Sequence, residues 1–177
     1  MTKKQVYKGA YIQVFEEDDG TEVYESAVFR NCVSVIPFTS ADEILMIREF
    51  RPHENPSVRL KLVTGFLEEG LSVEENANKE LQEEAGKKAG RLVPWLVGRQ
   101  TGAINQTNTF VLAFDLADSK LPNPDGEENV LEVIPMKVDH LYGMLSAGTF
   151  MVGPTAYVLL KLCLDIRESR FDPIKKT

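Results

Sequence analysis

Three glutamates carry the strongest chemical signal in this sequence. Glu80, Glu83 and Glu84 stand at i, i+3 and i+4. On a helix this spacing puts all three carboxylates on one face, with neighbouring Cβ atoms about 5–6 Å apart. Like charges so placed repel by about a few tenths of a kcal/mol per pair, which a bound divalent cation would more than offset. Hard oxygen donors of this kind suit Mg²⁺ or Mn²⁺ rather than zinc, which prefers histidine and cysteine. Ala77, Leu81 and Ala85 form the adjacent apolar stripe, so the helix can bury one side and present the acids on its flank. The same face has a second use, a solvated ion-pair ladder in which Glu83 meets Lys87 and Glu84 meets Lys88, both at i, i+4. Spacing alone leaves both uses open.

The elements that must position these acids are legible around them. Ser72 and Glu75 have capping-box spacing and Gly86 is a stop signal, which predicts a helix over 72–85. The first thirty residues alternate apolar and polar side chains about Asp18-Asp19-Gly20, a hairpin pattern. Strand-like runs follow at 32–38 and 44–47, and a short apolar run at 60–63 meets Gly65. Further strands are predicted around 93–97, 110–116 and 131–136. Helices are predicted at 138–146 and 154–166, the second with proline in its first turn. Mostly strands, one central helix and closing helices predict an α/β sandwich with a mixed sheet. The expected organisation is one domain over 1–177, with residues 1–30 as an N-terminal β arm.

Composition narrows the function classes. The 177 residues carry 20 lysines and arginines against 27 aspartates and glutamates, a net charge of −7, with 43% hydrophobic residues. Without a basic block, capture of long nucleic acid is not expected. No run of about eighteen apolar residues predicts a membrane span, and the start lacks a hydrophobic signal core. Cys32 and Cys163 lie in apolar surroundings and read as buried thiols of a cytoplasmic protein. His53 and His140 have no partner at metal-ligand spacing. Trp95 reads as core, whereas Phe15, Tyr24 and Phe29 on the arm are candidates for stacking on a nucleobase or simply for hairpin packing.

The residues ahead of the helix sharpen the reading of its acids. Gly65-Phe66-Leu67-Glu68-Glu69-Gly70-Leu71, seven further residues, then Lys79-Glu80-Leu81-Gln82-Glu83-Glu84-Ala85-Gly86-Lys87 resembles the Nudix box over 65–87. Gly65, Glu80, Leu81, Glu83, Glu84 and Gly86 fall in register. Leu71, Lys79 and Lys87 depart from the glutamate, arginine and aliphatic residue of the family pattern. The resemblance implies a Nudix α/β/α sandwich and divalent-metal-dependent hydrolysis of a nucleoside diphosphate linked to another moiety. Glu80, Glu83 and Glu84 would ligate Mg²⁺ or Mn²⁺ with help from the Thr64 carbonyl, and Glu83 is also a candidate catalytic residue. The turn at Gly65 would let the backbone approach a ligand.

The stretch Ile44-Leu45-Met46-Ile47-Arg48-Glu49-Phe50-Arg51-Pro52, behind the N-terminal arm, is similar to the ADP-ribose pyrophosphatase group. That likeness implies substrate contacts at Arg51, Gly65, Glu68 and Gly102, and a homodimer. It also implies a catalytic base on the acidic segment 123–129, with Glu127 and Glu128 as candidates. The group usually has Glu-Leu-Pro-Ala-Gly where this chain has Lys61-Leu62-Val63-Thr64-Gly65, and Ser-Pro-Gly where it has Gln100-Thr101-Gly102. Those departures leave room for nucleoside diphosphate sugars other than ADP-ribose. Two other readings remain: another diphosphate, such as a dinucleoside polyphosphate or an RNA 5′ end, and a weakly catalytic module that senses a nucleotide sugar.

Overall fold

A sheet with apolar side chains on both faces must be covered on both, and the helices do this from opposite sides. The computed structural model describes residues 1–122, 129–149 and 153–171. Its strands are β1 (Thr2–Lys8), β2 (Ile12–Asp18), β3 (Val23–Phe29), β4 (Cys32–Ser40), β5 (Glu43–Phe50), β6 (Val58–Lys61) and β7 (Val63–Phe66), followed by helix α1 (Val73–Ala85). Then come β8 (Lys87–Gln100), β9 (Ile104–Asp118), β10 (Val130–Lys137), α2 (Val138–Ser146) and α3 (Pro154–Arg167).

The sheet is mixed and branched. Its main path runs β1-β2-β3-β9-β4-β5-β10, with β6 on β5, β7 on β4 and β8 on β9. The long strand β9 is the spine, parallel to β3 and β4 and antiparallel to β8. Strand β4 changes neighbour along its length, pairing with β7 over Cys32–Val35 and with β5 from Phe38. The sheet divides there, and the divide opens beside β6 and β7, the two strands that lead into α1.

Alternation along the strands sorts the core into two layers. Val33, Val35, Ile47, Val63 and Val111 point to α1, where Ala77, Leu81 and Ala85 meet them. Ile36, Phe38, Leu62, Phe110 and Leu112 point the other way, to Leu141 of α2 and Val158, Leu159 and Leu162 of α3. Burying each large side chain of this kind contributes roughly 1.5–3 kcal/mol. The arrangement is the expected α/β/α sandwich.

Several expectations needed correction. The expected hairpin about Asp18-Asp19-Gly20 forms as β2 and β3, and β1 adds outside β2, so the arm is a three-stranded meander. The residues of β1 are exposed throughout, so this strand gains no burial from a core. The run at 60–63 is two short strands on different partners, β6 on β5 and β7 on β4. Other expectations hold: Trp95 packs half-buried against the core on the α3 side, and Cys32 and Cys163 are buried thiols raised to about 11 and about 12 by desolvation.

Candidate active site

Helix α1 is built to hold its acids in place. The Ser72 Oγ accepts from the Glu75 N–H at 3.1 Å and the Glu75 carboxylate accepts from the Ser72 N–H at 2.7 Å, completing the capping box. At the other end Gly86 takes a left-handed conformation, φ 64°, which lets its N–H close on the Gln82 carbonyl. Rotation about the helix axis is fixed by Asn78, whose side chain bonds both backbone groups of Ala89, at 2.8 and 3.1 Å. Lys120 supplies the cation that the last turn lacks, donating to the Glu83 carbonyl at 2.7 Å.

The acid face lies directly over the β7 turn. A Cβ added to Gly65 would overlap the carboxyl group of Glu80. A side chain at 65 would therefore have to displace the Glu80 carboxyl group from the place it holds, so the box glycine and first box acid form one packed unit. Burial raises the Glu80 carboxyl to about 7, with the charges of Glu84 and Glu83 adding to the effect. Glu84 is also raised, chiefly by burial, against the opposing pull of Lys61 and of the Thr64 N–H.

The carboxylates differ in what already holds them. Glu84, 8% exposed, accepts from the Lys61 Nζ at 3.0 Å through Oε1 and from the Thr64 N–H at 2.9 Å through Oε2. Glu83 lies 3.7 Å from the Lys79 Nζ, and Lys79 also pairs with Glu68. The alternative ladder does not form: Lys87 pairs with Asp118 across β8 and β9, while Glu84 faces inward to Lys61.

Lys61 connects this face to a second charged cluster. Its Nζ also bonds Glu49 at 3.1 Å, and Glu49 accepts from Arg51 at 2.9 Å and Arg59 at 3.0 Å. Arg51 is thus linked to the acid face through Glu49 and Lys61. Its Nη2 is held by Glu49, whereas its Nε is buried with no hydrogen-bond partner among the described residues. The register explains the cluster, since β6 places Arg59 opposite Glu49 and Lys61 opposite Ile47, both facing α1.

The loop between β7 and α1 is ordered without the family's glutamate at 71. Buried Asn76 accepts from the Glu68 N–H at 2.9 Å and donates to the carbonyls of Leu71 and Ser72 at 3.3 and 2.8 Å. Leu71 itself is 40% exposed. Glu68, half out of the surface, completes the loop through its pair with Lys79.

The other predicted site residues are distributed unevenly. Gly102 sits in the turn between β8 and β9 with φ 98°, where its carbonyl accepts from Asn105 and the neighbouring Ala103 carbonyl accepts from Ala27 of β3. These contacts tie it to the arm. Glu127 and Glu128 lie outside the described residues. Before them the Leu121 N–H reaches the Gln82 carbonyl of the box helix at 3.3 Å, and after them Val130 pairs with Glu49 of β5.

The donor set fits a hard divalent cation: three helical carboxylates on one face, one of them seated in a glycine cradle, and no competing soft ligand. As the side chains stand, however, no three acidic, histidine or cysteine groups among the described residues are arranged to hold an ion together. Glu84 is paired with Lys61 and Glu83 lies near Lys79. Sequence reasoning missed Glu49, Arg59, Asn76 and the role of Lys61. The signal for Lys61 was present, a lysine at an inward position of the run Leu60-Lys61-Leu62-Val63.

Comparison with known proteins agrees with this geometry. The NUDIX domain family model matches residues 28–149. No curated protein matches the sequence. Among solved structures, that of an ADP compounds hydrolase has the same fold, with a TM-score of 0.76 at 22% identity, covering 97% of this chain and 95% of that one. With six box positions in register, the glycine–glutamate cradle in place and the family model spanning most of the chain, the protein belongs to the Nudix family and is a pyrophosphohydrolase of phosphoric anhydrides.

Proposed function

We propose that the protein hydrolyses the diphosphate bond of ADP-ribose or a related nucleoside diphosphate sugar, giving a nucleoside monophosphate and a sugar phosphate, with Mg²⁺ or Mn²⁺ as cofactor. The observation that carries this reading is the cradle at Gly65, where Glu80 is desolvated beside two further carboxylates whose charges and the burial outweigh the pull of Lys79 and Lys61, so that a bound cation would stabilise its charged form. When bound, the metal neutralises diphosphate oxygens and lowers the pKa of an attacking water. Glu80 and Glu83, with the Thr64 backbone at the turn, are the residues that would hold it, and Glu84 stands beside them with its oxygens on Lys61 and the Thr64 N–H.

The remaining roles follow from position and chemistry. Arg51 offers a planar fork to phosphate oxygens and stands next to the acid face, where its charge offsets that of the substrate. Gly65 and Glu68 belong to the loop that borders the bound diphosphate, and Gly102 to a more distant part of the substrate surface. Glu127 or Glu128 takes the proton from water, a role suited to a segment anchored at Leu121 and Val130 beside the box. The proposal includes one domain over 1–177, a homodimer through the exposed arm, and a cytoplasmic location. Among the described residues no helix is long and apolar enough to cross a membrane.

A panel of nucleoside diphosphate sugars, incubated with Mg²⁺ and read as phosphate after phosphatase coupling, tests the substrate class. ADP-ribose or a close relative should be hydrolysed and lose all turnover in chelator. Full activity in chelator, or hydrolysis confined to dinucleoside polyphosphates or RNA ends, overturns the reading. Glu127→Gln and Glu128→Gln made singly should differ, with the true base losing about 10²–10⁴-fold in turnover.

A further inference from the structure

We propose that Lys61 is a resident cation of the box: its ammonium holds the place of a metal ion at Glu84, so that divalent ions are taken by Glu80 and Glu83. The inference rests on the metal-dependent reading given above. Lys61 lies in β6 with its side chain towards α1, almost completely buried, and bonds Glu84 at 3.0 Å and Glu49 at 3.1 Å. Both oxygens of Glu84 are thereby engaged by the protein, one by Lys61 and the other by the Thr64 N–H.

A surface lysine beside an acid exchanges readily with solvent ions, and its pair is worth little. Lys61 differs in three respects. It is buried, its two partners are buried, and the strand register opposite Ile47 fixes where its Cα sits. Removing its charge would leave Glu84 desolvated with only a neutral donor at Oε2. That is the condition under which a carboxylate recruits a divalent ion. Glu49 would not compete for the ion, because Arg51 and Arg59 still occupy it. The position thus sets how many cations the acid face accepts and how tightly it holds them.

The experiment uses the full chain with Mn²⁺ alone, following free Mn²⁺ by electron paramagnetic resonance and the Mn²⁺-induced rise in Tm. In Lys61→Met, Mn²⁺ should bind about 10–100-fold more tightly, or one further ion should bind per chain, and the rise in Tm should exceed that of the wild type. Lys61→Arg keeps the charge and should keep wild-type binding. The double variant Lys61→Met/Glu84→Gln removes both partners, leaves no unpaired charge between them, and should bind Mn²⁺ as the wild type does. It carries the test if Lys61→Met does not fold. Unchanged or weaker binding by folded Lys61→Met, or loss of Mn²⁺ by the folded double variant, overturns the assignment to Lys61 and leaves metal dependence standing. A wild type that binds no Mn²⁺ overturns both.

Discussion

Glu49 and Glu80 are glutamates whose carboxyl groups are desolvated near Lys61, and their neighbours drive them in opposite directions. At Glu49 burial pushes the carboxyl up, but the hydrogen bonds and charges of Arg51 and Lys61 outweigh it and bring the value down to about 2. At Glu80 burial acts the same way and the nearest charges, Glu84 and Glu83, reinforce it, so the value rises to about 7. The cation cluster around Glu49 is complete without help. The acid face around Glu80 keeps an excess of carboxylate that Lys61 and Lys79 do not offset. A desolvated acid among acids is the mark of a site, whereas a desolvated acid among cations is the mark of a joint.

The largest effect expected from this contrast is at Glu80. Glu80→Gln keeps shape and the cradle over Gly65 but removes the charge, so hydrolysis should fall on the order of 10³-fold, the loss of several kcal/mol of metal-assisted stabilisation. Stability should move the other way in chelator. A carboxyl whose folded value lies above its ordinary 4.5 stabilises fully below 4.5 and loses that contribution as pH rises through about 7. The metal-free wild type should therefore lose stability between pH 4.5 and 7, Glu80→Gln should lose less of it because only the raised Glu84 remains, and saturating Mg²⁺ should flatten the wild-type profile. Thermal denaturation across that range decides it. If the two proteins have parallel profiles in chelator, Glu80 is not the strained member of the face.

Glu49→Gln tests the other half. It removes the acceptor shared by Arg51, Arg59 and Lys61, and breaking a buried ion cluster from one side should cost about 3 kcal/mol, or roughly 6–12 °C in Tm. The sign of its pH dependence is opposite. A folded value near 2 gives stability that is present above 4.5 and lost as pH falls towards 2. The gap between wild type and variant should thus close in acid. A gap independent of pH would show that packing rather than charge makes Glu49 matter.

How much of this was legible beforehand divides along the same line. Local rules read α1 well, because Ser72, Glu75 and Gly86 act on residues three or four positions away. The two core layers were equally readable, since Val33, Val35 and Ile47 follow the strand period. The box spacing found Glu80, Glu83 and Glu84 but not their partners. Lys61 meets Glu84 across 23 positions and Arg59 meets Glu49 through the β5–β6 register, and neither pairing has a local signature. The contact of Gly65 with Glu80 was hidden in the same way: the pattern named both residues without showing that one fills the space left by the other.

A smaller effect is expected where the sequence departs from the family and the structure has compensated. Asn76 makes three hydrogen bonds to the loop ahead of α1, so Asn76→Ala should cost about 1–3 kcal/mol through the groups it leaves unpaired. The loss should appear in Mg²⁺ affinity and KM as well as in Tm, because the loop it orders carries Glu68 and ends on the acid face. A fall in Tm with metal affinity unchanged would confine Asn76 to holding the fold.

The smallest effect belongs to Leu71. The family pattern has a glutamate there, and its absence is the obvious reason to expect a loosely organised box. Yet the work of a carboxylate ahead of the helix is already distributed in this chain. Glu75 takes the Ser72 N–H, Asn76 takes the Glu68 N–H, and Lys79 is paired with Glu68 and near Glu83. Leu71 does not pack into the core that a leucine would otherwise strengthen, since 40% of it is exposed. A carboxylate at 71 would therefore find its nearest donors committed, and little apolar burial would be lost by the change. Leu71→Glu should alter stability by no more than about 0.5 kcal/mol, the usual range for a surface position, and Mg²⁺ titration of hydrolysis should give an unchanged midpoint. A midpoint that moves severalfold lower would mean that Asn76 and Lys79 restore the order of the loop but not the charge that the missing glutamate supplies to the metal.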